Sequence, residues 1–485
     1  MIQKSLVKNT IYYLIYKLLN LIFPLLSGIY IARVLSPESI GQVSYAQNIV
    51  QYFIIFAFLG IPTYGIREVS NVRNEPVQLN RVFSELFIIN FISTLFFLIL
   101  YLVLIFVNKS FFQLIYLYLI MSISLIFNIF NIDWLFEGLE EYGYISIRNT
   151  IFKFISILLL LTFVRGKDDY LIFAFINVLG IAGNNILNMI HSKKYISFIF
   201  EKLNLKRHVK SILFLVFVNL AIQIYSLTDV SMLGYFCSKN IVAYYVYGTR
   251  IYGILIQILT SVTMIIVPRM SILYLNKQYA EVNKLLSKAL KIIILLSLPM
   301  IIGIFFTADD IIVLLYGQEY MKSGQILKIL TILLIITPIG YLLGSRVLFI
   351  TKNEKKMIIP VSIGAVVNVI GNYVLIQYYN GVGAAWSTVI SQIVMTIVYI
   401  ILSRKYFKIL ILRIEIIKII IATIILVNYL FLVNNYFIAK NIKLIVELST
   451  SPAIYFISLI LLKEKFIYTN FCSFIKKWII GVKNE

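Results

Sequence analysis

Apolar segments of about 20 residues, the length needed to cross a bilayer as a helix, follow one another along almost the whole chain. Hydrophobic residues make up 61% of its 485 residues. Lipid offers the backbone no hydrogen-bond partner, so each segment is expected to be a continuous helix. The predicted fold class is an all-α polytopic membrane protein with about 14 transmembrane helices. The predicted spans are 9–33, 38–62, 81–107, 112–135, 145–164, 170–190, 208–234, 241–268, 286–306, 323–350, 357–379, 382–402, 414–433 and 442–462.

Positive charge alternates between successive loops. The formal net charge is +22, and most lysines and arginines, with Arg148, Lys153 and Arg346 among them, are assigned to the inside loops and tails. The outer loops hold only Arg33, Lys109, Arg165, Lys167, Lys239, Lys322, Lys440 and Lys443. This asymmetry predicts that both termini are cytoplasmic. The basic excess therefore orients the chain and attracts anionic membrane lipids, and we do not expect nucleic-acid binding.

A faint internal repeat divides the chain. Residues 41–46 begin the second span and residues 243–248 begin the eighth, each after a short outer loop. Repeated halves around a midplane site are typical of secondary transporters. The predicted parts are a six-helix bundle at 1–190, a cytoplasmic linker at 191–207, a second six-helix bundle at 208–402, and two extra helices with a basic tail at 403–485.

A few polar residues lie inside the predicted spans, where charge is costly and usually functional. Lys17 in span one and Arg250 in span eight place one cation in each half, which predicts a positive cleft for a diphosphate headgroup. The predicted polar lining, suited to sugar hydroxyls, is Asn20, Asn48, Asn219 and Gln223. Asp229 is expected to pair with a cation or to bind a coupling ion. The alternative is structural: an Asp229–Arg250 ion pair, with Lys17 extending to the membrane interface.

Enzyme and metal signatures are weak. His191 and His208 flank one loop without a cluster of further ligands, so no metal site is expected. The acidic pairs at 168–169 and 309–310 sit in short outer loops, where helix capping and turn formation explain them. The chain has no glycine-rich phosphate loop. We therefore expect no cofactor and no catalytic activity.

Residues 131–142, which include Asp133, Trp134, Glu137 and Glu140, are followed by Arg148-Asn149. This segment closely resembles the one after the fourth helix in bacterial polysaccharide repeat-unit flippases of the Wzx type. These flippases belong to the multidrug/oligosaccharidyl-lipid/polysaccharide exporter superfamily. Further matches are residues 32–35, 60–68, 229–234 and 381–388.

The resemblance implies two six-helix bundles around a central cationic cavity, with two further helices outside them. It implies transport of undecaprenyl-diphosphate-linked oligosaccharide, without catalysis, from the inner to the outer leaflet of the bacterial cytoplasmic membrane by alternating access. H⁺ or Na⁺ is expected as driving ion, and a polysaccharide polymerase as partner. The motif or gate residues are Asp133, Trp134, Glu137, Glu140 and Arg67. The acidic run Glu137, Glu140 and Glu141 is expected either to form salt bridges between the bundles in the outward-facing state or to cap a helix end in contact with solvent.

Two alternatives stay open. A cation-coupled multidrug exporter of the same superfamily would normally bind its ion with buried acids, whereas the charges within the spans here are mainly basic. A membrane-bound polysaccharide polymerase would need a long outer loop carrying catalytic groups, and every outer loop here is short.

Overall fold

A computed structural model of the chain describes residue 20 and residues 22–201, 203–408, 413–436 and 440–469. For residues 213–225, 413, 440 and 441 only the backbone is described. Over these residues the regular structure is helical, and eleven helices are long and apolar enough to cross a membrane. The all-α polytopic fold class is confirmed, and the count of fourteen spans stays a prediction.

The chain divides into two compact units, Met1–Val246 and Tyr247–Glu485. In the first unit the helices are α1 Ile22–Val34, α2 Pro37–Phe58, α3 Ile61–Val72, α4 Pro76–Val107, α5 Lys109–Phe112, α6 Ile115–Asn128, α7 Asp133–Gly138, α8 Tyr142–Phe163, α9 Tyr170–Val178, α10 Asn185–Ser192 and α11 Lys206–Phe236. Helix α12, Lys239–Ile265, contains the boundary between the units. The four-part division made from the repeat stays a prediction.

In the second unit the remaining helices are α13 Val267–Leu275, α14 Tyr279–Tyr316, α15 Lys322–Leu330, α16 Leu333–Gly340, α17 Val347–Ile350, α18 Ile358–Ser403, α19 Arg413–Tyr436 and α20 Lys440–Leu461. Helix α18 holds both the eleventh and the twelfth predicted spans. They are separated at Asn380, whose φ of 52° is non-helical. Asparagine is among the residues that reach positive φ most readily.

The break between α2 and α3 follows directly from its sequence. Leu59 and Gly60 both have positive φ, 48° and 72°, and Pro62 stands in the first turn of α3. Glycine reaches this conformation without steric cost, and proline at a helix start lacks an N–H that would be unpaired there in any case. The second predicted span therefore continues as α3 beyond the break, and the candidate span runs over Pro37–Val72.

One apolar cluster of the first unit lies where α3 meets α7. Trp134 is 2% exposed and stacks on Phe83 with ring centroids 5.7 Å apart. Gly65 lets α3 approach the indole, because a Cβ there would lie 2.7 Å from the Trp134 ring. Trp134 is thus a packing residue of the first unit, and Gly65 allows α3 to lie close to its ring.

The segment before α11 is fixed to α4 through its backbone. The N–H groups of Ser197, Ile199 and Asn204 donate to side chains of α4, namely Asn80, Ser84 and Glu85. Short segments outside regular structure need such partners for their backbone groups. Within the first unit, the linker predicted at 191–207 is therefore held on α4.

A buried ionic cluster anchors the start of α11. The Glu85 carboxylate lies 2.7 Å from Nε2 of His208 and 2.5 Å from the Arg207 guanidinium. Nδ1 of His208 is 2.8 Å from the Tyr64 hydroxyl, and the side chains of Glu85 and His208 are fully buried. Breaking such a cluster on one side leaves an uncompensated buried charge. His208, for which no role was predicted, is a structural residue linking α3, α4 and α11.

We expect Gly41→Ala to destabilise the protein by about 1–3 kcal/mol, the usual cost of overpacking. A Cβ at Gly41 would lie 1.7 Å from the backbone carbonyl oxygen of Lys239, so a helix must move. Thermal unfolding in detergent measures the change.

The matched control is Gly253→Ala in α12, where no atom lies within 4 Å of an added Cβ. This variant should be neutral or more stable by roughly 0.5–1 kcal/mol, since alanine favours helix over glycine. Equal melting temperatures for the two variants would contradict the close approach at Gly41.

Candidate functional site

Lys153 lies inside a membrane-spanning helix of the first unit. Its assignment to an inside loop was wrong: it stands in the interior of α8 (Tyr142–Phe163). Its ammonium donates a hydrogen bond to the side-chain oxygen of Asn20 and lies 6.0 Å from the centre of the Phe23 ring. The predicted lining residue Asn20 is thus next to a cation that sequence reasoning missed.

Arg250 lies inside α12, in the second unit, as predicted. Its guanidinium carbon is 5.0 Å from the centre of the Tyr247 ring. Tyr247 is 1% exposed and contacts Tyr316 and Tyr320, with ring centroids 4.3 and 4.8 Å away. A desolvated cation over an aromatic face gains up to about 2 kcal/mol. The tyrosine cluster therefore stabilises a half-buried arginine within the span.

Arg346 places a second guanidinium within a candidate membrane span, Lys322–Ile350. From the sequence it was assigned to an inside loop. It ends the π-helical segment Tyr341–Arg346 and lies 5.9 Å from the Tyr341 ring centre. π-Helical turns inside α-helices occur frequently at functional sites. The second unit therefore holds two half-buried arginines, Arg250 and Arg346, each against tyrosine.

Asn48 and Asp229 belong to polar contacts within the first unit. The Asn48 amide donates to the carbonyl of Leu227 at 3.2 Å and accepts from the Ser231 hydroxyl at 2.6 Å. Asp229 accepts a hydrogen bond from Tyr245 at 2.5 Å. Both Asn48 and Asp229 are 7% exposed. These contacts hold α2, α11 and α12 together where lipid offers no polar partner.

Three other predicted site residues cannot be placed. Lys17 lies outside the described residues. Asn219 and Gln223 fall within α11, whose described part includes their backbone but not their side chains. Their assignment to the binding site stays a prediction.

A cavity of about 230 Å³ in the first unit is lined by carboxamide side chains. Its walls come from α2, α6, α9, the π-helical turn Leu179–Gly183, α10 and residue 131. The amides are Gln47, Gln51, Asn128, Asn131, Asn177 and Asn185. Asn177 donates to the Gln47 side-chain oxygen at 3.1 Å, and none of the residues lining this cavity is charged. An amide both donates and accepts hydrogen bonds, as a sugar hydroxyl does.

The motif segment forms a buried network of its own. Arg148 is 2% exposed and makes two contacts with the Asp133 carboxylate, at 2.9 and 3.0 Å. The Asn188 amide donates to the same carboxylate at 2.9 Å, and Arg148 also hydrogen-bonds Asn188. A bidentate arginine–carboxylate pair fixes geometry as well as charge. The motif thereby ties α7, α8 and α10 together.

The other motif residues lie nearer the surface. Glu140 pairs with Arg73 at 2.7 Å, with both side chains 40–44% exposed. Arg67 pairs with Glu68 at 3.4 Å, and Glu137 is partly buried at the end of α7. Exposed ion pairs contribute about 0–1 kcal/mol. A gating role for these three residues stays a prediction.

The acidic pairs predicted in outer loops serve structure. The pair at 168–169 precedes α9, whereas Asp309 and Asp310 lie within α14 (Tyr279–Tyr316), so their placement in a loop was wrong. The backbone N–H groups of Gly166 and Arg165 donate to the Asp169 carboxylate at 2.7 and 2.8 Å, and these bonds lower the pKa of Asp169. Asp309 pairs with Lys328 at 2.5 Å and Asp310 with Lys443 at 3.2 Å. Turn closure and helix packing thus account for residues that superficially resemble catalytic acids.

We expect Arg148→Met to lower the free energy of unfolding by about 1–3 kcal/mol, because it leaves the Asp133 carboxylate, which is 27% exposed, without its buried partner. Thermal unfolding of the purified protein measures the change. Arg73→Met removes the exposed partner of Glu140 and should cost no more than about 1 kcal/mol. Comparable losses for the two variants would show that the motif pair is not the buried anchor described above.

Comparison with known proteins shows the family. The model of the family "Polysaccharide biosynthesis protein" matches residues 6–274, and the MatE model matches residues 215–374. A protein of Shigella dysenteriae described as an O-antigen transporter is 25% identical over 392 residues, covering 80% of this chain and 96% of its own. The capsular polysaccharide biosynthesis protein CapF of Staphylococcus aureus is 25% identical over 418 residues, covering 83% and 100%.

Solved structures agree in fold. An inward closed structure of the lipid II flippase MurJ matches with a TM-score of 0.75 and 18% identity, over 94% of this chain and 100% of that one. An inward-facing multidrug resistance transporter of the MATE family matches with a TM-score of 0.67 and 17% identity, over 79% and 93%. The chain is a multi-pass membrane protein and belongs to the polysaccharide biosynthesis protein family, as the resemblance predicted.

Proposed function

We propose that this protein is a flippase that moves oligosaccharide repeat units linked to undecaprenyl diphosphate across the bacterial cytoplasmic membrane. Movement runs from the inner to the outer leaflet by alternating access and involves no bond making or breaking. The relatives named as an O-antigen transporter and a capsular polysaccharide biosynthesis protein support this function. So does a shorter match to a glycan biosynthesis flippase of Haloferax volcanii, 26% identical over 175 residues.

The observation that carries the proposal is a cation held inside a membrane-spanning helix of each unit. Lys153 contacts Asn20 in the first unit, and Arg250 lies against Tyr247 in the second. An intramembrane charge is costly and is retained where it binds a charged ligand or moves one. A diphosphate is such a ligand, because arginine offers it a planar fork of donors and lysine a mobile charge. We assign Lys17 the same role.

The carboxamide cavity suits the sugar portion of the same substrate. Its six amides stand among apolar residues such as Met121 and Phe58, so a hydroxyl-rich group would gain hydrogen bonds that lipid cannot offer. Charged side chains are absent from its lining, which favours neutral sugars over acidic ones. We place the predicted lining residues Asn20, Asn219 and Gln223 in the same substrate path.

The remaining assignments are expectations about the cell. The positive-inside charge distribution supports cytoplasmic termini, and H⁺ or Na⁺ is the expected driving ion. A polysaccharide polymerase that receives the repeat unit on the outer face is the expected protein partner.

Cells deleted for this gene should accumulate lipid-linked repeat units on the cytoplasmic leaflet and lose surface polysaccharide. Wild-type protein should restore both, whereas Arg250→Ala, Lys153→Ala and Lys17→Ala should export more slowly at matched expression. Loss of one charge-assisted hydrogen bond, about 1.5–3 kcal/mol, corresponds to roughly 10- to 150-fold. The leaflet position of the labelled precursor is measured.

Lys167→Ala is the matched control, since this lysine lies exposed in an outer loop. Single repeat units on the surface without polymer would instead indicate a polymerase. Unchanged polysaccharide in the deletion strain would favour a multidrug exporter.

We expect Gln51→Leu to slow export about 2- to 10-fold, because a neutral hydrogen bond contributes about 0.5–1.5 kcal/mol. The rate of precursor clearance after a pulse of labelled sugar measures it. Gln78→Leu, at an exposed position near the start of α4, is the control. Equal clearance rates for Gln51→Leu and Gln78→Leu would show that this cavity does not bind the sugar.

A further inference from the structure

Helices α19 and α20 pack on α14 and are linked to it by ion pairs at both ends. At one end Lys291 of α14 pairs with Glu464 and lies 3.5 Å from Glu415. At the other end Asp310 of α14 lies 3.2 Å from Lys443 of α20. Between these ends an apolar cluster joins the three helices. The charges at the two ends are therefore engaged in contacts that hold the helix pair in place.

A groove of about 240 Å³ opens between these helices and Leu255 of α12. Its lining is almost wholly aliphatic and aromatic and includes Pro299, Leu426 and Pro452. One acidic side chain, Glu447 of α20, stands among them, with Ser451 one turn further along the helix.

Glu447 is 1% exposed. Across the described part of the chain neither of its carboxyl oxygens has a hydrogen-bond partner, and the Ser451 hydroxyl likewise has none. A buried carboxylate without a partner carries a large desolvation penalty, and such groups neutralise instead of remaining charged. A neutral carboxylic acid is the form that this environment tolerates.

The titratable groups around Glu447 are already engaged. Lys443, one turn before it on α20, pairs with Asp310 of α14, and both interact electrostatically with Glu447. From α19, Tyr429 hydrogen-bonds Thr450 at 2.5 Å. On α20 itself, Tyr455 donates to the carbonyl of Leu295 at 2.9 Å. With one lysine between two acids, the local charge balances only if one acid carries a proton.

We propose that Glu447 is a proton-binding site in the groove between α14 and the α19–α20 pair. The carboxylate takes one proton from water to become a carboxylic acid and returns it on release. Release places a second negative charge beside Lys443, so it competes with the Asp310–Lys443 ion pair that joins α20 to α14. Proton occupancy of Glu447 thereby sets how firmly these two helices are held at this end.

A proton fits this site better than a metal ion. Hard metal ions require several oxygen ligands, and the described residues contain no group of three or more acidic, histidine or cysteine side chains that could hold one. The inference goes beyond the proposed function, since it does not depend on which substrate the protein carries.

Infrared spectroscopy of the full-length protein in lipid, titrated with pH, tests the site. The carbonyl band of a protonated carboxylic acid is expected around neutral pH in the wild type. It should be lost in Glu447→Gln and retained in the control Glu319→Gln, whose residue is exposed. Identical spectra for wild type and Glu447→Gln across the titration would overturn the proposal.

A second measurement needs no variant. Dicyclohexylcarbodiimide is an apolar reagent that modifies protonated carboxyl groups, and mass spectrometry locates the adduct. We expect an adduct on Glu447 of the wild-type protein whose yield falls as pH rises. Its absence from Glu447 while other carboxyl groups of the chain are modified would contradict the proposal.

Discussion

The bilayer supplies no hydrogen bonds, and this constraint governs the structure at two levels. The backbone satisfies itself by forming helices, which accounts for the all-helical regular structure of the described residues. Polar side chains must then find partners inside the protein or serve a ligand. In this chain some polar side chains pair with each other and others line a cavity. Asp133–Arg148 and Glu85–His208 are internal pairs, whereas the carboxamides line a cavity.

This division separates structural residues from functional candidates better than charge alone. In the motif pair, the buried Arg148 contacts both oxygens of the Asp133 carboxylate, so the pair fixes the helices that carry it. Arg250 lies against the Tyr247 ring, and Lys153 contacts the Asn20 amide. Arginine and lysine are cationic side chains that bind phosphate, arginine through a planar fork of donors and lysine through a mobile charge.

Much of the fold could be predicted from the sequence, because a membrane-spanning helix is a continuous run of apolar residues. Span positions, the break at Asn380 and the importance of the segment around Asp133 all follow from local pattern. The side on which a residue faces depends on packing, which local pattern does not specify. Lys153 was therefore placed at a loop although its apolar flanks lay within a predicted span. Gln47 and Gln51 are spaced one helical turn apart, and this spacing would have indicated the amide cavity.

Glu447 is another residue whose surroundings depend on packing and could not be predicted from the sequence. Its span is apolar on both sides, and only the packing of α14, α19 and α20 reveals that it lies buried beside an engaged lysine. The sequence predicted Asp229 as the partner of a cation or as a coupling-ion site, and the structure gives Asp229 a tyrosine partner at 2.5 Å. An ion-coupling role for Asp229 stays a prediction.

Reconstitution in liposomes would show transfer between leaflets by the protein itself. Purified protein would be placed in liposomes that carry an undecaprenyl-diphosphate-linked saccharide, labelled on its sugar, in one leaflet only. A membrane-impermeant glycosidase would report the arrival of sugar on the opposite leaflet. If the protein is a flippase with a cationic site, wild-type protein should transfer the saccharide in a time-dependent manner, and Arg250→Ala should transfer it more slowly. Transfer no faster than in protein-free liposomes, or equal rates for the two proteins, would contradict it.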